Sequence, residues 1–458
     1  MKKELILKTA LILSAILFYF NLTDLKNPVN IPGNIEDNFF VLAVGIDKGT
    51  ENENGFKITV LAEDFSGDIS KSSTSKGKIP DILTIEGATM FEAIRKFSEI
   101  SSKGVFFGHI RYLLISEDIA KEKILDVMDF FTRDNEVRVN TTMAIVKDIS
   151  AESFLRSGEK TEKFIPDVLD GEFHNISKAS ISEEKDVLNA MVEFNSLYRG
   201  AYLPSVGIIT KQKDEKIDSS QEKSASQGES SSQDKSSSQD KSSSQDKSTS
   251  QGESSSQDKS TSQGESSSQE ETKKSYYVDL NGFAIFREGK LIGFLSGFEA
   301  RGLNWVNSKI QSGIIIVKDS TDKKISMEII TSSSKVKIKL DGDTPEATID
   351  IKFTTSVGEV MSRDDIFNEA EFKKLNEEQN SIVKKEAENA VKYAQENGVD
   401  ILHINDEIYH QYPLKWEKMK DRWNETFKTM KITVNVESLI NRTFHIREPI
   451  RSEGGNNK

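Results

Sequence analysis

Residues 5–20 are almost all apolar and follow Met1, Lys2 and Lys3, and no later stretch is as hydrophobic over that length. Such a run has few fates. It spans a bilayer as a helix, is removed as a signal peptide, or is the buried core helix of a larger fold. Residues 5–22 would reach roughly 27 Å as a helix, just enough for the hydrocarbon core. Leu5, Ile6, Leu7, Leu11, Ile12, Leu13, Ile16, Leu17, Phe18, Tyr19 and Phe20 would form the anchor. Lys8 sits one turn in, where its stem can reach the headgroups. Lys2, Lys3 and Lys8 place the N-terminus on the cytoplasmic side and the rest of the chain on the far side. The sequence FYFNLT at 18–23 lacks the small residues that signal peptidase requires. The reading is an uncleaved single-pass anchor over residues 1–23, with cleavage and release or a core helix as the alternatives.

The chain contains no cysteine. That excludes disulfides, iron–sulfur clusters, cysteine zinc sites, cysteine nucleophiles and a thioether-linked lipid. About 380 residues remain outside the anchor and one low-complexity stretch, enough for two or three domains with cores of their own. The formal charge of −13 argues against a nucleic-acid partner. Residues 218–272 hold eleven acids and five lysines, nearly half of that excess, so the rest is only mildly acidic.

Residues 224–271 are a hexapeptide array of SSSQDK, STSQGE and close variants. With no large apolar residue, it cannot offset the entropy of ordering, and the expectation is a disordered insertion at 218–272. Its flanks, 201–210 and 276–286, read as strands, so the array would join two strands of one domain. Lengthening such a loop from about five to over fifty residues costs only about 2 kcal/mol of closure entropy.

Periodicity places strands at 39–47 and 55–62, a helix at 89–101, a strand at 105–116 interrupted by His109, a helix at 117–131 and a strand at 137–146. Further on, strands are expected at 291–295, 313–317, 325–331, 335–340 and 347–353. The strict alternation at 335–340 marks a half-buried strand. A long helix is expected at 365–397 with Gly398 ending it, then helices at 401–409 and, opened by Pro413, at 414–427, and a strand at 430–436. The fold class is α+β: three mixed domains, each a sheet covered by helices, at 24–185, 186–300 and 301–450, with a disordered tail at 451–458.

No Gly-x-Ser-x-Gly, His-Glu-x-x-His, P-loop or Rossmann glycine pattern is present. His403, Glu407 and His410 have a spacing that could face one way on a helix, but such triples arise often, and they read as ordinary solvated or capping residues. No metal or cofactor is expected. Gly108 beside His109 suggests a close backbone approach. Asp47 and the pair Arg133 and Asp134 are charges beside apolar segments. These five residues either fix loops at a sheet edge or contact a ligand or partner.

The order of short motifs is similar to that of the Ger(x)C family, the C subunits of spore nutrient-germinant receptors. The resemblance runs through VLAVGID at 41–47, Gly87-Ala88-Thr89 with Glu92 and Ala93, Phe107-Gly108-His109, DFFTRD at 129–134 with Arg138, GFAIF at 282–286, KLIG at 290–293, residues 302–305 and 399–401, and Trp416, Trp423 and Phe427. It implies a non-enzymatic three-domain α+β protein on the outer face of the spore inner membrane. Its partners would be a multi-span A-type subunit and a transporter-like B-type subunit, in a receptor that responds to small nutrients. The family's usual lipidated cysteine is absent here, and a spanning helix would replace it. An exported solute-binding or structural surface protein, or a wall hydrolase, are the alternatives.

Overall fold

The computed structural model describes residues 38–441, apart from 52–53, 65–80, 102, 134–135, 162, 177, 212–274, 343 and 362–367. The expected anchor, the Ser/Gln array, the C-terminal tail and Asp134 lie outside the described residues. Among those described, no helix is long and apolar enough to cross a membrane.

Strands β1 (Asn38–Lys48) and β2 (Phe56–Asp64) form the expected antiparallel pair, and β2 pairs onward with β3 (Asp81–Gly87). Helix α1 (Met90–Ile100) starts at Thr89, whose hydroxyl accepts from Glu92 N while the Glu92 carboxylate accepts from Ala88 N. This reciprocal cap is why the helix begins there. The strand expected at 105–116 is instead β4 (Gly104–Phe106) and β5 (Tyr112–Ser116), both parallel to β1 at different points along it. Phe107 and Ile110 of the intervening turn are buried, so the chain must leave the sheet between them. The helix expected at 117–131 is α2 (Glu117–Glu122) and α3 (Ile124–Arg133), broken at Lys123.

After β6 (Thr142–Val146) come α4 (Ala151–Thr161), α5 (Ile165–Ile176) and α6 (Val187–Phe194), which the sequence reading does not anticipate. Strands β7 (Ala201–Lys211), β8 (Ser275–Arg287) and β9 (Lys290–Leu295) complete a sheet of order β3-β2-β1-β5-β6-β7-β8-β9, with β4 beside the start of β1. The strands flanking the Ser/Gln array, β7 and β8, are hydrogen-bonded neighbours. The boundary expected between residues 185 and 186 therefore falls inside one sheet, because β6 also pairs with β7.

Strand periodicity explains the layers. Val44, Ile46, Leu113, Ile115, Met143 and Ile145 face one side, against α1, α2, α3 and α6. Ala43, Tyr112, Leu114, Ala144 and Val146 face the other, against α4 and α5. Every residue of β5 and β6 is buried, as expected of parallel strands covered on both faces.

The C-terminal region opens with α7 (Gly297–Val306), followed by β10 (Ile314–Lys318), β11 (Lys324–Asp341) and β12 (Thr344–Val360), an antiparallel meander. Helix α8 (Glu369–Asn397) ends at Gly398, which adopts φ 61° as a left-handed cap. Helices α9 (Ile404–Gln411), α10 (Pro413–Met419) and α11 (Trp423–Thr429) lead to β13 (Lys431–Asn441), parallel to β12. This four-stranded sheet is covered on one face, where Leu375, Val383, Ala387 and Ala394 of α8 pack. The described residues thus hold two sheets, not the three expected, in a mixed α+β fold. Tyr202, Phe283, Ile285 and Leu295 turn one face of the first sheet into the core of the second.

Candidate binding site at the junction of the two sheets

A cleft of about 560 Å³ opens where these sheets meet. One wall is the segment before α6, α6 itself and Arg199. The other is the end of α7, the middle of β11, and α9 with the residue before it. The first wall is fixed by backbone pairing: Met143 N donates to Lys185 O (2.9 Å), and the Thr142 hydroxyl donates to Glu184 Oε1 (2.6 Å). It is also stitched to the other wall, since Asn304 Nδ2 donates to Ser180 O (2.9 Å) and the Ser180 hydroxyl to Ser312 O (2.7 Å).

At the base of the cleft lies Lys185, whose side chain is 4% exposed. Its ammonium is 2.7 Å from Glu193, 3.8 Å from Glu183, and sits over the Tyr202 ring. Tyr202 N donates to the other Glu193 oxygen at 3.1 Å. Burial lowers the Lys185 ammonium and raises the Glu193 carboxyl, and their mutual attraction opposes both changes. Burial also raises the Tyr202 phenol.

His403 lies across from this pair. It occupies the left-handed region (φ 58°) just before α9, so it is not on the helix with Glu407 and His410, and the three do not share a helical face. Among the described residues no group of three or more metal-ligating side chains occurs. The capping role falls to Asp400, whose carboxylate accepts from Ile404 N (3.1 Å), Asn405 N (2.7 Å) and Trp423 Nε1 (3.2 Å). His403 Nε2 is buried and has no hydrogen-bond partner, with Glu193 Oε1 at 4.0 Å. Burial, aided by Arg199, Lys185 and Lys309, lowers its imidazole to about 3. It is a neutral ring facing a charged cleft.

Asp47, Gly108 with His109, and Arg133 lie in three other, separate clefts. Asp47 ends β1 and accepts from Ala151 N (2.8 Å) and Glu152 N (2.9 Å), capping α4. Gly108 gives the close approach expected, since a Cβ there would lie 2.6 Å from the Phe106 ring. His109 is exposed and packs on Phe40 and Phe106. Arg133 is exposed and pairs with Asp129 (2.8 Å). Of the junction residues the sequence reading named only His403 and Glu407, and those as solvated or capping residues; Lys185 and Glu193 were missed. Glu193, a carboxylate in the otherwise apolar helix VLNAMVEF, was a signal that could have found them.

Two family models match this chain: "Spore germination protein N-terminal domain" over residues 33–208 and "Spore germination B3/ GerAC like, C-terminal" over residues 281–444. The chain belongs to the Ger(x)C family. Spore germination protein KC of Bacillus subtilis (strain 168) is 22% identical over 432 residues, covering 92% of this chain and 93% of its own. Spore germination protein B3 of the same organism is 24% identical over 412 residues, covering 86% and 88%. The crystal structure of the GerBC protein aligns over 87% of this chain and 96% of that one, with 17% identity and a TM-score of 0.47. The Ger(x)C motifs traced above serve the architecture here: Asp47 is a cap, Gly108 a close approach, and Gly302 leaves no room for a side chain between α7 and α8. The junction charges Lys185, Glu193 and His403 belong to none of those motifs.

Proposed function

We propose that this protein is the C subunit of a spore germinant receptor. It acts by binding and assembly, and not by catalysis. Residues 5–22 hold it in the spore inner membrane as a single-pass anchor, with its folded part on the outer face. There it docks on a multi-span A-type subunit and a transporter-like B-type subunit and helps couple nutrient occupancy to germination. One observation carries this reading: the two family matches cover residues 33–208 and 281–444, most of both folded regions, and skip the first residues, the stretch 209–280 that holds the Ser/Gln array, and the tail. The polar clusters favour binding over chemistry, because the buried pair Lys185 and Glu193 neutralise each other.

Affinity purification of the full chain from spore membranes, paired with deletion of its gene, tests the proposal. The expected result is recovery of two integral-membrane proteins with the chain, and a slowed or lost response to at least one nutrient. Recovery of the chain alone, with germination unchanged toward every nutrient tested, overturns it. Protease added to intact inner-membrane vesicles of known orientation tests the topology separately.

A further inference from the structure

We infer that the junction cleft is a binding site for a small uncharged solute rich in hydroxyl groups. The ligand class follows from which groups of the cleft are already satisfied. Its cations are paired within the protein: Lys185 with Glu193, Lys309 with Glu183 at 3.4 Å, and Arg199 with Asp406 at 2.5 Å. Lys335 stands on the outward face of β11, whereas Ser334 and Val336 stand on the inward one. The carboxylates Glu184 and Glu407 have no ion partner among the described residues, but each already accepts a neutral donor. Glu184 turns back to the Thr142 hydroxyl of β6, and Glu407 lies along α9 against the Gln411 amide.

Two residues on the walls carry a buried polar atom with no hydrogen-bond partner among the described residues: Nε2 of His403 and Oγ of Ser334. Orphans of this kind call for a missing partner, a water or a bound molecule. Neither atom carries charge, because burial keeps the imidazole neutral. Both residues are half-buried, so a small turn of the ring and rotation of the hydroxyl present them to a solute. The imidazole nitrogen takes one hydrogen bond, and the hydroxyl both donates and accepts. An ion brought here would give up its hydration without gaining a counter-charge. A hydroxyl group exchanges its bonds to water for bonds to these atoms. Val192, Val336 and Leu402 add apolar surface for the C–H faces of such a solute, and the volume suits one of metabolite size.

The inference deepens the receptor reading and rests on it for biological meaning, though not for the binding itself. The test is isothermal titration of the purified full chain, in a detergent without a sugar headgroup, with a panel of monosaccharides and cyclic polyols. Acetate, methylammonium and glycine serve as anionic, cationic and zwitterionic controls. The expected result is binding of at least one uncharged solute with Kd below about 10 mM, and none of the three controls. S334A and H403N should each weaken binding about tenfold. S334A removes a hydroxyl that has no partner, so the melting temperature should not fall. K335Q, on the opposite face of β11, should leave binding unchanged. Failure of every uncharged solute to bind means that water alone completes the two atoms and overturns the inference. Binding untouched by both S334A and H403N, or a charged control that binds as tightly, overturns it too. Where H403N does not fold, S334A decides. Germination of deletion spores is scored separately. A chain that binds but is dispensable removes the receptor role and leaves the site standing, and a germination defect without binding does the reverse.

Discussion

Two buried ion pairs of nearly equal burial behave differently in this molecule. Arg301 and Glu386 have side chains 9% and 6% exposed, Lys185 and Glu193 4% and 9%. Around the first pair every guanidinium nitrogen and the indole N–H donate a hydrogen bond. Arg301 donates to both Glu386 oxygens (2.8 and 2.5 Å) and to Ile314 O (3.0 Å), and Trp305 Nε1 donates to Glu386 Oε2 (3.0 Å). Gly302 allows α7 to lie directly on the α8 backbone, so no space is left. Around the second pair a cleft remains, with one imidazole nitrogen unmatched and further charges on its walls. Burial alone therefore does not separate a rivet from a site. Completeness of hydrogen bonding and the space beside the charges do.

The sharpest way to break this contrast is E386A. It leaves the buried guanidinium without its counter-charge and the indole N–H without an acceptor, and should cost about 3–5 kcal/mol, read as a lower urea midpoint with an unchanged slope. A smaller loss would mean that the rivet is hydrated. G302A places a methyl group against helix backbone that cannot move aside and should cost about 1–3 kcal/mol by the same measurement. E193A should cost less than E386A, about 1–3 kcal/mol, because Glu183 and the open cleft can take over the Lys185 charge. The double variant K185M/E193M should recover most of that loss.

Two neighbouring groups give opposite pH dependences. The unfolded chain protonates His403 near its ordinary 6.5, whereas the folded protein does so only near about 3. Its contribution is complete above 6.5 and is lost as pH falls toward 3. Burial raises Asp400 from 3.8 to about 7, so its contribution is complete below 3.8 and is lost as pH rises through 7. Unfolding titrations should show H403N, a residue type that tolerates the left-handed backbone, without the acid-side loss. D400N should lack the neutral-side loss. A variant curve parallel to wild type would remove that group from the account. The smallest effect belongs to D129N and R133Q, an exposed i,i+4 pair. Neither should move the melting temperature measurably, and a clear shift would restore Arg133 as more than a surface residue.

Local chemistry was legible wherever a residue's role depends on near neighbours. The alternation at 335–340 puts Val336, Ile338 and Leu340 inward and the lysines outward. Gly398 caps α8, Pro413 opens α10, and the strands either side of the Ser/Gln array are paired. Helices α4 and α5 escaped because their apolar stripes are short and mixed with charge, as in AESFLRSGEKT, and α6 because eight mostly apolar residues are too short to show a helical period. The interruption at His109 was legible, but its extent over residues 107–111 escaped because a strand's register against β1 is set by the partner strand, not by its own pattern.

Sequence by itself determined the element types of the strongly periodic segments, the absence of cysteine chemistry and the family. Tertiary structure alone decided that Lys185, Glu193 and His403 surround one cleft, and that Asp47, His109 and Arg133 do not share one. The reason is physical. Helix caps and strand faces are fixed by contacts a few residues apart, which spacing encodes. The junction is assembled from segments more than two hundred residues apart along the chain. Only the packing of one sheet's end on the other's core brings them together.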